Sequence, residues 1–126
     1  KKVYRKVQKE KFHEAKGILD VTKGVSYVRS ESFYREIITQ VGLALRNSEK
    51  HVKELIENEE IDKLRTFCLD AVGLSATIGA NSFVLLLNNM LHEMTETQNP
   101  TMKTYIKPYR DEWVKLDYEI KRYLKS

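Results

Sequence analysis

Apolar residues recur along this chain at intervals of three and four, and no stretch sustains a period-two alternation. That spacing predicts helices throughout. Val3, Tyr4, Val7, Phe12, Ala15, Ile18 and Leu19 mark a loosely amphipathic first helix that ends near Gly17. Residues 20–30 read as a turn-rich link with room for a short helix. A second helix is expected over 32–57, carrying Phe33, Ile37, Val41, Ala44, Leu45, Val52, Leu55 and Ile56. Ser30 or Ser32 can cap it, and Asn47-Ser48 is its weak point. A third helix, over about 60–78, places Ile61, Leu64, Phe67, Cys68, Ala71, Ser75 and Ile78 on one face, and Gly79 ends or bends it. A fourth, over about 80–95, has so wide an apolar arc (Phe83, Val84, Leu85, Leu86, Leu87, Met90, Leu91, Met94) that it is expected to be central. Asn99-Pro100 reads as the start of the last helix, with Pro108 either kinking it or marking its true start.

With five Gly and two Pro in 126 residues, these segments imply an all-α fold. Long amphipathic helices with short connections imply an antiparallel, up-down four-helix bundle with an additional N-terminal helix. Residues 1–17 are expected to be a connecting helix from an upstream domain, and residues 18–126 the bundle, within a larger multidomain chain. Charged residues make up 32% and hydrophobic ones 41% of the sequence, which suits one globular domain. No apolar run approaches the roughly 20 residues that span a bilayer, so no membrane contact is expected of this domain. The lone cysteine, Cys68, excludes an internal disulfide and fits a reducing cytoplasm, where the protein is expected. The net charge of +4 sits largely at the two ends, on faces read as solvated. The aromatic residues there recur at helical spacing, as core residues do, and form no base-stacking platform, so no nucleic acid is expected.

The segment Phe67-Cys68-Leu69-Asp70-Ala71-Val72-Gly73-Leu74-Ser75-Ala76-Thr77-Ile78-Gly79-Ala80 resembles the signature of histidine phosphotransfer (HPt) domains. That signature runs His-x-x-Lys-Gly, then small residues, then Ile-Gly-Ala. The likeness extends to Ile18-Leu19-Asp20-Val21-Thr22-Lys23-Gly24-Val25, similar to the family's Leu/Ile-Asp-x-x-x-Gly-Leu opening. It continues through Ser32-Phe33-Tyr34-Arg35-Glu36-Ile37-Ile38 and the acidic lead-in Glu59-Glu60-Ile61-Asp62-Lys63-Leu64. Aligned this way, Leu69 occupies the phosphoacceptor position, Val72 that of the lysine, and Gly73 matches. In the family the histidine projects into solvent and a receiver domain docks around it. Leucine has no nucleophilic nitrogen, so no phosphoramidate can form there, and Val72 offers no charge to a phosphoryl group. The resemblance therefore implies the scaffold without the chemistry.

Helical geometry bears on Leu69 independently. At about 100° per residue, Leu64, Cys68, Ala71, Ser75 and Ile78 fall within roughly 80° of arc. Leu69 lies about 100° or more from the centre of that stripe, with Arg65, Val72 and Ala76 near it and Asp62 and Gly73 flanking. Asp62, Arg65, Leu69, Val72, Gly73 and Ala76 thus compose a compact patch with an apolar centre. Either an end helix of the chain covers it, or a partner does.

Other chemistry is sparse. His13, His51 and His92 have no companions at metal-ligand spacing, so no metal is expected. His92-Glu93 is similar to a kinase phosphoacceptor pair, but the Arg-Thr-Pro continuation is missing. Asp111-Glu112 and Glu59-Glu60 are adjacent carboxylates, which diverge by about 100° on a helix and read as solvated charges. Cys68 lies on the core stripe as a small hydrophobe. No Gly-rich loop or catalytic triad pattern appears. The expected function is that of a non-catalytic signalling domain, not an enzyme and without a cofactor. Its expected partner is a response-regulator receiver domain or a histidine kinase. Two alternatives stand beside it: an active phosphocarrier using another histidine, and a helical assembly module unrelated to phosphorelay.

Overall fold

A computed structural model describes residues 15–126 of the chain. The first helix expected from Val3 to Phe12 falls outside them. Its expected end does not form: residues 15–20 make a turn, with the Leu19 amide on the Ala15 carbonyl at 2.8 Å. The link that follows is a true helix, α1 (Val21–Val28). The Asp20 carboxylate caps it, accepting from the Lys23 amide at 3.0 Å, and Arg29 closes it in the left-handed conformation.

Ser30 is the cap of α2 (Glu31–Leu45), its hydroxyl accepting from the Phe33 amide at 3.2 Å. The single helix expected over 32–57 is two, because the chain breaks at the expected weak point, and α3 runs Ser48–Glu57. Ser48 stabilises the break. Its hydroxyl donates to the Leu45 carbonyl at 2.6 Å and accepts from the Tyr109 hydroxyl at 2.7 Å. One side chain thereby satisfies a carbonyl freed at the end of α2 and a buried phenol.

Helix α4 (Ile61–Thr77) and helix α5 (Asn81–Glu96) follow, joined at Gly79. Gly79 has φ +81°, its amide reaches the Ala76 carbonyl at 3.1 Å and the Ala80 amide reaches Ser75 at 3.0 Å. This pair of bonds is a Schellman closure, which needs the left-handed residue that glycine supplies. The Asn99-Pro100 start signal is overturned: residues 97–102 are not helical. A 3-10 turn at Lys103–Tyr105 leads into α6 (Ile106–Lys125). Pro108 is the third residue of α6, where a missing N–H leaves no bond unmade, so it marks the start and does not kink the helix.

All regular structure among the described residues is helical. Helix α4 packs most extensively on α5, α5 on α6, α6 on α2 and α3, and these back on α4, while α1 lies over α2 and α4. Start meets end in this ring: Arg65 near the start of α4 bonds the carbonyl of Met94 near the end of α5, and Arg35 of α2 that of Leu124 in α6. The arrangement is compatible with the expected antiparallel bundle. Its core joins Tyr34, Ile38 and Leu45 to Leu64, Cys68, Phe83, Leu87, Met90, Leu116 and Ile120. Phe83 anchors an aromatic cluster, 5.3 Å from Tyr109 and 6.1 Å from Trp113. Three expectations about the core fail. Phe33 and Ala44, read as core positions of the second helix, are both exposed, Phe33 by 51%, and Leu85 is 63% exposed. Helix α5 is not enclosed on all sides, and its wide apolar arc serves an outer face as well as the core.

Candidate docking surface on helix α4

The stripe expected on α4 is where the structure buries the helix: Leu64, Cys68, Ala71, Ser75 and Ile78 are all within 1% of full burial. That fixes the rotation of the helix and turns the opposite face outward. Leu69 is 57% exposed at the middle of α4. Asp62, Gly73 and Ala76 are exposed, whereas Val72 and Arg65 are half-buried. A Cβ built on Gly73 meets nothing within 4 Å. Arg65 donates to the Asp62 carboxylate at 2.9 Å and to the Met94 carbonyl at 3.2 Å. Its guanidinium is therefore committed within the fold. The six residues expected to form a patch are contiguous on one face, and no described helix covers Leu69 at its centre.

The segments that carried the family resemblance meet at one end of the structure. The Asp20 amide donates to the Gly79 carbonyl at 2.8 Å, and the Tyr34 hydroxyl to the Ile78 carbonyl at 2.8 Å. Gly24 packs so closely that an added Cβ would collide with the Tyr34 ring and the Ile78 carbonyl. The opening motif, the start of α2 and Ile78-Gly79-Ala80 thus form one joint, which holds α1 against the turn that ends α4. Its glycines stand where close approach or positive φ demands them.

Among the described residues, the other titratable groups are buried or separately paired, or stand alone on the surface. Cys68 is fully buried, and burial pushes its thiol up to about 12, so it stays protonated and unreactive. His51 is exposed and lies edge-on to Phe67 at 5.6 Å, and His92 is exposed on α5. His13 lies outside the described residues. Asp111 pairs with Lys107 at 3.1 Å, which holds its carboxyl below the usual range, while Glu112 accepts from Ser82 at 2.8 Å. Glu60 pairs with Lys63 at 2.9 Å. Asp111 and Glu112 thus turn to separate partners, one on α6 and one on α5, and do not converge on a common point. Among the described residues no group of three or more His, Cys, Asp or Glu is placed to hold a metal ion, and no helix is long and apolar enough to cross a membrane.

The structure adds two features that the sequence reading missed. One is a groove of about 870 Å³ along α2, lined by Phe33, Ile37, Val41, Ala44 and Leu74. The other is on α5. Phe83, Leu87, Met90 and Met94 face the core and Ser82 turns towards α6. Helical periodicity then sets Val84 and Asn88 on the opposite flank, beside α4, and Leu85 directly away from the core. The signal for this flank is present in the sequence as a gap in charge: no Lys, Arg, Asp or Glu occurs between Asp70 and Glu93. Compared with protein-family models, curated proteins and solved structures, the chain matches none.

Proposed function

We propose that this chain is a degenerate HPt-like domain that docks a receiver domain or a histidine kinase of a cytoplasmic phosphorelay and transfers no phosphate itself. In this reading α2–α3, α4, α5 and α6 are the up-down four-helix bundle of the family. The observation that carries it is Leu69. The residue aligned with the phosphoacceptor stands in mid-helix, exposed, where a histidine would be presented to a partner. The joint formed by Asp20, Gly24, Tyr34 and Gly79 supports the reading further, because it gives separate motifs one structural purpose. The chemistry is missing at both positions that would perform it. A leucine cannot accept the phosphoryl group, and the half-buried Val72 cannot neutralise one.

The reading is tested by incubating the chain with a phosphorylated receiver domain while binding is followed by calorimetry. Complex formation without acid-labile label on the chain is expected, and Leu69→Glu should abolish the complex. Label on His51, His92 or His13 would overturn the non-catalytic reading in favour of an active carrier. Binding that survives Leu69→Glu would move the docking site elsewhere.

A further inference from the structure

The stretch of α2 between Glu36 and Arg46 carries no charged residue. Its outer side is nonetheless open: Thr39, Gln40, Leu43 and Ala44 are exposed, and so is Phe33 in the turn before. Ile37 and Ala44 line the groove that Leu74 borders from α4. An uncharged face does not by itself name what covers it, but here the residues that bracket it do. Glu36 and Arg46 are both exposed, and neither side chain has a partner among the described residues. They stand about 15 Å apart along one helix, so they cannot pair with each other.

Helical spacing puts the two charges on one stripe. At about 100° per residue, Glu36, Thr39, Leu43 and Arg46 fall within roughly 80° of arc. Their intervals of three, four and three residues are those of a seam between paired helices. A two-fold axis at the level of Val41 lays this stripe antiparallel on a second copy of itself. Each Glu36 then stands level with the other copy's Arg46, and each Leu43 with the other copy's Thr39, because position 41 is the midpoint of both pairs. On the groove side Ile37 falls within one residue of the other copy's Ala44. Acid therefore meets base, and large meets small, on both sides of the axis. A parallel pairing in register would set Glu36 on Glu36 and Arg46 on Arg46, which repel.

We infer that the outer face of α2 is a self-association surface, on which a second copy of this chain packs antiparallel with Glu36 and Arg46 closing its two ends. The contact is isologous, so it stops at two copies. It spans a few turns of one helix, which makes it weak and dependent on concentration. Leu69 lies on α4, outside this stripe, so self-association and the proposed receiver docking are separate properties and neither result decides the other.

The experiment is sedimentation equilibrium of the whole 126-residue chain with no partner added. The average mass should rise from one copy towards two over about a hundredfold increase in concentration. Leu43→Glu, at an exposed position, should weaken the association at least about tenfold. Glu36→Arg and Arg46→Glu, each alone, set like charges opposite each other and should weaken it at least about threefold. The double variant Glu36→Arg/Arg46→Glu reverses both charges and should return the association to within about twofold of the original. Leu69→Glu on α4 and Tyr118→Glu on α6, both at exposed positions, should leave it unchanged. Circular dichroism of each variant separates a lost contact from a lost fold. A monomer at every concentration, growth beyond two copies, or association that survives Leu43→Glu would each overturn the inference. So would a double variant no tighter than the single ones, since the antiparallel register requires the exchange of charges to restore binding. A monomeric chain whose receiver binding is lost in Leu43→Glu would give this face to the receiver instead.

Discussion

Leu69 and Ser75 lie six positions apart on one helix and make opposite demands on the fold. Leu69 is more than half exposed, so Leu69→Glu should shift the melting temperature by no more than about 2 °C, while the proposed docking function expects it to abolish receiver binding. A collapse of stability would mean that the chain itself uses the residue. Ser75 is fully buried, and its hydroxyl has no hydrogen-bond partner among the described residues. A buried hydroxyl without a partner costs about 1–3 kcal/mol, so Ser75→Ala should raise stability by about 1 kcal/mol in chemical denaturation. A loss of stability would reveal a bond for that hydroxyl. Gly24 makes the third demand. Its Cβ-sized space is filled by the Tyr34 ring and the Ile78 carbonyl, so Gly24→Ala should cost about 1–3 kcal/mol by overpacking, despite alanine's better helix propensity. The sequence gives Gly24 no visible advantage over any other helical glycine. Only the approach of α1 to the end of α4 distinguishes it.

Helix ends show which parts of the element pattern were legible. Ser30 and Gly79 announce themselves, one as a hydroxyl before an apolar-periodic run, the other as a glycine after one. The end of α3 is harder to read, because it uses the same closure as α4 without a glycine. The Glu60 amide bonds Leu55 at 2.9 Å and the Glu59 amide bonds Ile56 at 3.1 Å, with Glu59 held at φ +56°. A side chain in that conformation carries about 1–2 kcal/mol of strain. Glu59→Gly should therefore stabilise the fold by about 0.5–1 kcal/mol, read as a higher denaturation midpoint. An unchanged or lower midpoint would mean that the Glu59 side chain contributes elsewhere. Asn99-Pro100 misled for the complementary reason. Its local chemistry suits a helix start, but the chain there spans from the end of α5 to the base of α6, and the helix begins only after the 3-10 turn, at Ile106. The α2–α3 break was visible as a weak point in the pattern. That it separates two helices became definite only when Ser48 found Tyr109, 61 residues away.

At the scale of the molecule, the core makes stability depend on pH from the alkaline side. Burial raises the Cys68 thiol from 9.0 to about 12, and it raises the Tyr109 phenol from its ordinary 10.0. Both groups are neutral when protonated, so the folded state holds its protons longer than the unfolded one. Their contribution is complete below pH 9 and is lost as the pH climbs from 9 towards 12, where the unfolded chain alone ionises. Denaturation midpoints should be flat to about pH 9 and fall beyond it. Thiol labelling at pH 8 should proceed at the rate of unfolding, and fast labelling of the native protein would contradict the burial of Cys68. What the sequence determined alone is the helical class and the core stripe of α4, because periodicity is a property of the chain itself. What only the tertiary structure decided is which apolar residues stay outside. Leu69, Leu85 and Phe33 are as hydrophobic as any core residue, and burial depends on which faces of α2, α4 and α5 find a neighbouring helix. Leu69 became part of the surface because that packing leaves it uncovered by the described chain.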